Sequence, residues 1–127
     1  GEARRLHTIL FYSDRQGNEP VTEYIRALEA QNTKDARIRL TKMRAYIKAL
    51  AQSGLPLRVE VCKHIDGEIW ELRPVKDRVM FAGWKGGAFV LLHCFEKKGQ
   101  KTPRLEIERA KREFRDFSER WAENGED

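Results

Sequence analysis

The sequence predicts one α+β domain in which a mostly antiparallel sheet has its helices packed on one face. Three segments space their apolar residues as amphipathic helices do. Short apolar or alternating runs separated by turn residues indicate strands, and the elements follow the order β-α-α-β-β-β-α. A chain of 127 residues with 40% apolar content is sufficient for one packed core. We therefore assign residues 1–127 to a single domain.

The N-terminal part predicts a strand and then a helix. Leu6–Tyr12 is rich in aromatic and β-branched residues and ends at the turn cluster SDRQGN. Pro20 suits the first turn of a helix. The apolar face of that helix is formed by Val21, Tyr24, Ile25 and Leu28.

A second helix follows, with Asn32 and Thr33 as candidate caps and with Gly54 and Pro56 as stop signals. Its apolar residues are Ala36, Leu40, Met43, Ile47 and Leu50. Its other face carries Lys34, Arg37, Arg39, Lys42, Arg44 and Lys48. A solvated surface is the simpler interpretation of these cations, and contact with RNA or a partner protein is the alternative.

The central part predicts three strands joined by tight turns. VEVCKHI and EIWELR flank Asp66-Gly67, which is typical of a hairpin. Pro74 closes the second strand because it cannot donate to a sheet ladder. RVMFAGW and AFVLLHCF flank the turn segment KGG, and the nearly continuous apolar run of AFVLLHCF predicts a central strand buried on both faces.

The last helix is predicted to begin with Thr102 as N-cap and Pro103 at its first position. Its apolar residues are Ile107, Ala110, Phe114, Phe117 and Trp121. The polar end of the chain, residues 119–127, predicts a frayed tail.

Positive charge is concentrated just before this helix. The formal net charge of the chain is +5, whereas the segment 97–104 contains cations and no acid. Those cations are Lys97, Lys98, Lys101 and Arg104. A local basic cluster of this kind is typical of nucleic-acid binding, and it is equally compatible with an acidic protein partner.

The lack of a recognisable signal peptide and the two unpaired cysteines lead us to expect a cytoplasmic protein. No window reaches the roughly 18 apolar residues of a membrane span, so no membrane contact is expected. The segment GEARRLHTILFY lacks the apolar core of a signal peptide. Cys62 and Cys94 have no metal-binding spacing, and we expect both to be buried thiols.

Common catalytic motifs are missing from the sequence. There is no GxGxxG, no GxxxxGK[ST] and no HExxH. The histidines His7, His64 and His93 are scattered, which makes a metal site improbable. His93 lies within an apolar strand, where a hydrogen-bonded core histidine is the simpler interpretation. We expect no metal and no cofactor.

The remaining candidate site is a group of cations on the strands. Alternation along EIWELR places Glu71 and Arg73 on the face opposite Trp70 and Leu72, and therefore out of the core. Arg78 follows just across the turn, so its guanidinium should lie near that of Arg73. Lys97–Lys98 leaves the neighbouring strand near the same end. An alternative is a surface ladder in which Glu71 or Asp77 pairs with one arginine.

Arginine and lysine without a metal suit one reaction in particular. Guanidinium groups bind phosphate through two parallel hydrogen bonds, and lysine adds mobile charge. When a 2′-hydroxyl of RNA attacks the adjacent phosphate, the transition state carries extra negative charge. Fixed cations aimed at that charge can each contribute about 10²–10³ in rate.

The strings IDGEIWELRP, DRVMFAGW and FVLLHCFEKKGQKTPRLEIERAKRE resemble the RelE/HigB toxin superfamily, and in particular its phage-derived HigB-like branch of bacterial type II toxin–antitoxin systems. The resemblance covers most of the chain and is sharpest from about Gly67 to Glu113. Its most specific part is F-x-K-K-x-x-K-T-P followed by E-x-x-x-A.

The resemblance implies a small α+β toxin that inhibits translation as an mRNA endoribonuclease, often on the ribosome. It also implies a cognate HigA-like helix-turn-helix antitoxin, through which the complex would bind operator DNA. The catalytic residues implied by the match are Arg73, Arg78, Lys97 and Lys98. We add Glu71 to them on chemical grounds, and we expect RNA-binding roles for Lys101, Arg104 and Lys76.

The general base is not assigned by the resemblance. RelE carries lysines on the strand that here holds Ile69 and Glu71, and no tyrosine follows the last strand as it does in some relatives. Glu71, a lysine with a lowered pKa among crowded cations, and His93 are the candidates. Two other functions stay open: a ParE-like inhibitor of DNA gyrase, and a non-catalytic module that binds RNA or the ribosome.

Overall fold

Five strands and three helices make up the fold in a computed structural model that describes residues 6–55 and 57–125. The strands are β1 (Ile9–Phe11), β2 (Cys62–Asp66), β3 (Ile69–Leu72), β4 (Asp77–Gly83) and β5 (Phe89–Glu96). The helices are α1 (Pro20–Gln31), α2 (Lys34–Ser53) and α3 (Arg104–Glu123), and a short 3₁₀ turn spans Lys85–Gly87. The predicted α+β class and element order are confirmed.

The strands form one mixed sheet in the order β1-β5-β4-β3-β2. Strand β1 pairs parallel to β5, and the other neighbouring strands pair antiparallel. Strand β1 is shorter than the predicted Leu6–Tyr12, because its pairing with Phe89–Leu91 covers only Ile9–Phe11. The position predicted for AFVLLHCF is confirmed, since β5 lies between two strands and is buried along most of its length.

Helices cover both faces of the sheet, so the prediction of helices on one face is wrong. Helices α1 and α2 pack on one side, where Leu40 and Met43 join the core of Val79 and Phe81. Helix α3 packs on the other side, where Phe114 and its neighbours contact Met80 and Val90. The physical reason is that β4 and β5 are apolar on both faces, and an apolar sheet face must be covered.

The ends of α1 and α2 agree with the sequence signals. Pro20 is the first residue of α1. Thr33 caps α2, its hydroxyl accepting a hydrogen bond from the Ala36 N–H at 3.1 Å. Gly54 ends α2 with φ +64°, and a Cβ there would lie 2.6 Å from the His7 ring. Pro56, the other predicted stop signal, lies outside the described residues.

Helix α3 differs from its prediction at both ends. It begins at Arg104, with Pro103 at the N-cap position, and the Thr102 side chain does not cap it. The Thr102 hydroxyl bonds instead to Glu71 on β3. At the other end, the helix continues to Glu123, so the segment 119–123 is not frayed. The aromatic ring of Trp121 packs on Trp84 and Phe117, which holds that last turn in place. Residues 126–127 lie outside the described part.

A β-bulge changes the alternation of β5. Met80 pairs with His93 and Phe81 pairs with Leu91, which leaves Leu92 as an extra residue. As a result, both Leu92 and His93 face α3. The cysteines match their prediction, since both are buried thiols, and burial raises the pKa of Cys62 to about 11.

The helices were compared with the length and apolarity that a membrane-spanning helix requires. Among the residues described, none has the length and apolarity needed to cross a membrane.

Candidate functional site

A small cleft opens where the ends of β3 and β4 meet the loop that joins β5 to α3. Its walls are formed by Glu71, Arg78, Phe95 and residues 97–103. The structure thus brings together five of the residues selected from the sequence: Glu71, Arg78, Lys97, Lys98 and Lys101. The three lysines are exposed, whereas Glu71 and Arg78 form the buried floor.

Glu71 is the buried acid of the cleft. Its side chain was expected to point out of the core, but the beginning of α3 and its preceding loop cover this face, and Glu71 is 3% exposed. The Thr102 hydroxyl donates to its Oε1 at 2.9 Å. Its Oε2 lies 3.6 Å from Nε of Arg73 and 3.9 Å from Nε of Arg78. One carboxylate oxygen is therefore fixed, while the other faces two guanidinium groups.

Arg78 is held by backbone carbonyls rather than by a close acid. Its Nη1 donates to the Val75 carbonyl at 3.2 Å and to the Asp77 carbonyl at 2.9 Å. Burial, together with the charge of Arg73, lowers the pKa of Arg78 from its usual value, although Glu71 and Asp77 act in the opposite direction. Arg78 is thus a fixed, poorly hydrated cation, and such a group gains by binding an anion.

The turn before Arg78 is strained at one residue. Val75 has φ +49°, a left-handed conformation that a β-branched residue rarely adopts. The Asp77 N–H donates to the Pro74 carbonyl at 2.9 Å and closes the turn. The Lys97 N–H donates to the Lys76 carbonyl at 2.7 Å, which joins the turn to the start of the lysine loop. Backbone strain of this kind is often retained near functional groups.

Asp77 forms a buried ion pair that the sequence analysis missed. It is fully buried, accepts hydrogen bonds from Arg39 at 3.0 and 2.6 Å, and accepts another from the Tyr24 hydroxyl at 2.6 Å. The hydrogen bond to Asp77 raises the pKa of Arg39, and burial with the same acceptor raises that of Tyr24. Arg39, predicted on the polar face of α2, is buried instead. Its position three residues after Ala36 was the available signal that it faces the core.

Arg73 lies at the edge of this arrangement. Its Nη1 donates to the Val59 carbonyl at 3.1 Å, and its Nε points toward Glu71. Its side chain is 25% exposed. Arg73 is therefore tied to the loop before β2, and it reaches the cleft through Glu71.

Lys63 on β2 is a further cation that the sequence analysis missed. It is the direct cross-strand partner of Glu71, so both side chains are on the same face of the sheet. Lys63 is exposed. The Asp66-Gly67 hairpin predicts that β2 pairs with β3, and it was the available signal for Lys63. The register shift near Ile65 changes which residues face each other, so the hairpin alone did not identify Lys63 as the partner of Glu71.

Two of the predicted RNA-binding residues lie away from the cleft walls. Lys76 has its Nζ 3.4 Å from Asp35 at the start of α2. Arg104 is the exposed first residue of α3. Any contact they make with RNA would extend beyond the cleft.

His93 is a hydrogen-bonded core histidine, as the sequence indicated. It is fully buried, and each ring nitrogen faces a glutamate: Nδ1 lies 2.5 Å from Glu113 and Nε2 lies 2.9 Å from Glu106. Because both nitrogens are occupied, His93 is a poor candidate for the general base. Over residues 6–55 and 57–125, no group of three or more His, Cys, Asp or Glu side chains has a metal-binding arrangement.

The whole cleft falls within a stretch that matches a known family. Residues 23–115 match the family described as phage derived protein Gp49-like (DUF891). A search of curated proteins gives no match. The matched stretch runs from α1 into α3 and includes the buried ion pair, the strained turn and the lysine loop. The chain therefore belongs to the Gp49-like family of phage-derived, toxin-like proteins.

Proposed function

We propose that this protein is the toxin of a type II toxin–antitoxin module and that it cleaves messenger RNA. The observation that carries the proposal is the position of Glu71. Its Oε2 lies 3.6 and 3.9 Å from Nε of Arg73 and Arg78, while its Oε1 is held by Thr102. This arrangement places a proton acceptor and candidate phosphate ligands in one site.

Arg78 is the proposed phosphate ligand. Nη1 of Arg78 donates to two backbone carbonyls. The guanidinium has further N–H donors that can form paired hydrogen bonds with a phosphate. Lys97, Lys98 and Lys101 line the same cleft and add mobile positive charge. Since each phosphate contact releases counterions, binding should weaken as salt rises.

In the proposed reaction, Oε2 of Glu71 takes the proton of a 2′-hydroxyl. The 2′-oxygen forms a bond to the adjacent phosphorus, and the bond from phosphorus to the 5′-oxygen breaks. Arg78 stabilises the charge that develops on the phosphorane, Arg73 holds Oε2 of Glu71 beside it, and a loop lysine gives a proton to the leaving 5′-oxygen. The products are a 2′,3′-cyclic phosphate and a 5′-hydroxyl end.

The biological setting belongs to the same proposal. The partner would be a helix-turn-helix antitoxin that blocks the toxin and carries the complex to operator DNA. The substrate would be messenger RNA, cleaved on the ribosome. Family membership supports a toxin, and the cationic cleft supports a nucleic-acid substrate.

Brief expression in bacterial cells tests the proposal. Sequencing of RNA 5′ ends should show new ends within coding regions, and Arg78→Ala should abolish them. Arg37→Ala is the matched control, because Arg37 is an exposed arginine on α2, and it should cleave like the wild type.

DNA supercoiling is measured in the same cells. Intact messages with altered supercoiling would indicate a gyrase inhibitor instead. Intact messages and unchanged supercoiling, with the protein bound to ribosomes, would indicate a non-catalytic binding module. Either result would overturn the nuclease proposal.

A further inference from the structure

Glu106, His93 and Glu113 form a triad between β5 and α3, in which Glu113 is buried and the Glu106 side chain is 26% exposed. The imidazole is fully buried, with Glu106 at 2.9 Å from Nε2 and Glu113 at 2.5 Å from Nδ1. The bulge at Leu92 turns His93 toward α3, where the two glutamates are seven residues, about two turns, apart. The proposed cleavage reaction does not use this triad.

This hydrogen-bond geometry matches a charged ring between two ionised carboxylates. An ionised carboxylate only accepts hydrogen bonds, so a ring between two ionised carboxylates donates from both of its nitrogens. Nε of Arg109 also lies 3.1 Å from Oε2 of Glu113. Two carboxylates, one imidazolium and one guanidinium sum to zero, and this balance lowers the cost of keeping His93 and Glu113, the two buried members, charged away from water.

We infer that His93 is held as an imidazolium in the folded protein and that it positions the first turn of α3 for the cleft. Glu106 belongs to that first turn, and its N–H donates to the Pro103 carbonyl at 3.0 Å. Thr102, just before the helix, donates to Glu71. The pairing of His93 with Glu106 therefore fixes the end of the lysine loop that meets the acid of the cleft.

The other end of that loop is fixed by a different contact. The Lys97 N–H donates to the Lys76 carbonyl at 2.7 Å, next to the turn that carries Arg78. The loop 97–103 is thus held by β5 and β4 on one side and by α3 on the other. Loss of the His93 proton would leave a ring nitrogen lone pair facing a carboxylate. The loop 97–103 would then lose its attachment at the α3 end and keep its attachment to β4 and β5.

Other groups around His93 leave this assignment intact. Met80 is its partner on β4, and the Phe95 ring lies 6.3 Å away on β5; neither side chain titrates. Beyond Glu113, the Tyr12 hydroxyl donates to Asp116. Arg109 is the remaining charged group on α3 that contacts the triad, and it neutralises Glu113.

Nitrogen-15 NMR of the imidazole tests the charge directly. At about pH 7.5, where an ordinary histidine is mostly neutral, both ring nitrogens of His93 should show the shifts of protonated nitrogen. Glu106→Gln should return one nitrogen to an unprotonated shift, because an amide oxygen no longer supplies the negative charge. Glu108→Gln is the matched control on α3 and should leave both shifts unchanged. An unprotonated nitrogen in the wild type would overturn the inference.

Amide hydrogen exchange tests the positioning role. The N–H groups of Glu106 and Ile107 both bond to the Pro103 carbonyl, so their exchange reports opening of the first turn of α3. In His93→Gln and in Glu106→Gln, we expect their exchange to accelerate by about tenfold or more. The second variant keeps the test decisive if His93→Gln does not fold. Unchanged exchange in the folded variants would refute the positioning role.

The link between the triad and catalysis rests on the proposed function. Failure of the positioning role and failure of the nuclease proposal give different results. Glu106→Gln should lower the rate of RNA cleavage at saturating RNA, with a larger loss at high pH. If the wild type cleaves and Glu106→Gln cleaves identically at all pH values, His93 does not position the cleft. If the wild type does not cleave RNA but the NMR results hold, the nuclease proposal fails and the charged triad stands.

Discussion

Arg39 on α2 binds Asp77 at the start of β4 through two hydrogen bonds, from Nε to Oδ2 at 3.0 Å and from Nη2 to Oδ1 at 2.6 Å. Both side chains are buried. Asp77 immediately precedes Arg78, and its carbonyl accepts a hydrogen bond from that arginine. The ion pair thus connects α2 to Arg78, the residue that we propose as the phosphate ligand. The ion pair and the Arg78 side chain lie on opposite faces of the sheet.

Asp77→Ala should be strongly destabilising, because it removes the fully buried partner of Arg39 and leaves only the longer contacts to Asp35 at 3.7 Å and Glu96 at 3.6 Å. We expect a loss of about 3–5 kcal/mol in the free energy of unfolding, measured by urea denaturation. The control is Glu29→Ala, which removes an exposed ion pair with Arg44 and should cost about 0–1 kcal/mol. Similar losses in the two variants would show that burial does not set the strength of the Arg39 pair.

Local sequence patterns were sufficient to predict the elements of this fold. The four-three spacing of apolar residues located α2, and turn residues such as Asp66-Gly67 located the hairpin. Both signals act within a few residues of the chain. They cannot show which face of the sheet a helix covers, since that depends on contacts between distant segments, and the prediction of all helices on one face is therefore wrong.

The cleft was only partly predictable for the same reason. The turn after Arg73 predicted that Arg73 and Arg78 lie close together, and Oε2 of Glu71 is 3.6 and 3.9 Å from their Nε atoms. The KK pair follows β5 beside the same cleft, as predicted. The burial of Glu71 was missed because it depends on Thr102, which is 31 residues away along the chain. The Glu106–His93–Glu113 triad depends on a bulge in β5, and no residue type in that apolar run marks the bulge.

Lys63→Ala tests whether the binding surface extends from the cleft to the edge of the sheet. Lys63 is exposed and is paired with Glu71 across the strands, so RNA that fills the cleft should pass it. We expect weaker binding to a 2′-O-methyl RNA, which cannot be cleaved, with the salt-dependence slope reduced by about 1. Lys48→Ala, an exposed lysine on α2, is the control and should leave both quantities unchanged. An unchanged slope in Lys63→Ala would limit the RNA to the cleft.

Val75→Gly should stabilise the protein despite the greater chain entropy of glycine. Val75 has φ +49° and is exposed, so glycine removes backbone strain and little packing. Strain of this type costs about 1–3 kcal/mol, whereas the entropic penalty of glycine is up to about 1 kcal/mol. A net gain of about 1 kcal/mol should appear in urea denaturation. Val59→Gly, at another exposed valine without a positive φ, should destabilise the protein. Equal losses in both variants would argue against strain at Val75.

Alkaline pH should unfold the protein partly through Tyr24. Burial and the hydrogen bond to Asp77 raise the pKa of its phenol in the folded state, compared with about 10 in an unfolded chain. Above about pH 10 the folded state therefore binds more protons than the unfolded state, and stability falls as pH rises, by up to about 1.4 kcal/mol per pH unit for each such tyrosine. Below about pH 10 this contribution is fully present.

Tyr24→Phe separates this titration from general alkaline damage. The variant loses the hydrogen bond to Asp77, so at about pH 8 it should be less stable than the wild type by about 1.5–3 kcal/mol. Above about pH 10 its stability should fall less steeply, because the phenol no longer titrates. Urea denaturation at a series of pH values measures both effects. Burial and the hydrogen bond to Asp116 raise the pKa of Tyr12 as well. Tyr12 therefore adds to the slope above about pH 10, and Tyr12→Phe should reduce that slope in the same way. Parallel pH curves for the wild type and Tyr24→Phe would exclude Tyr24 as a source of alkaline unfolding.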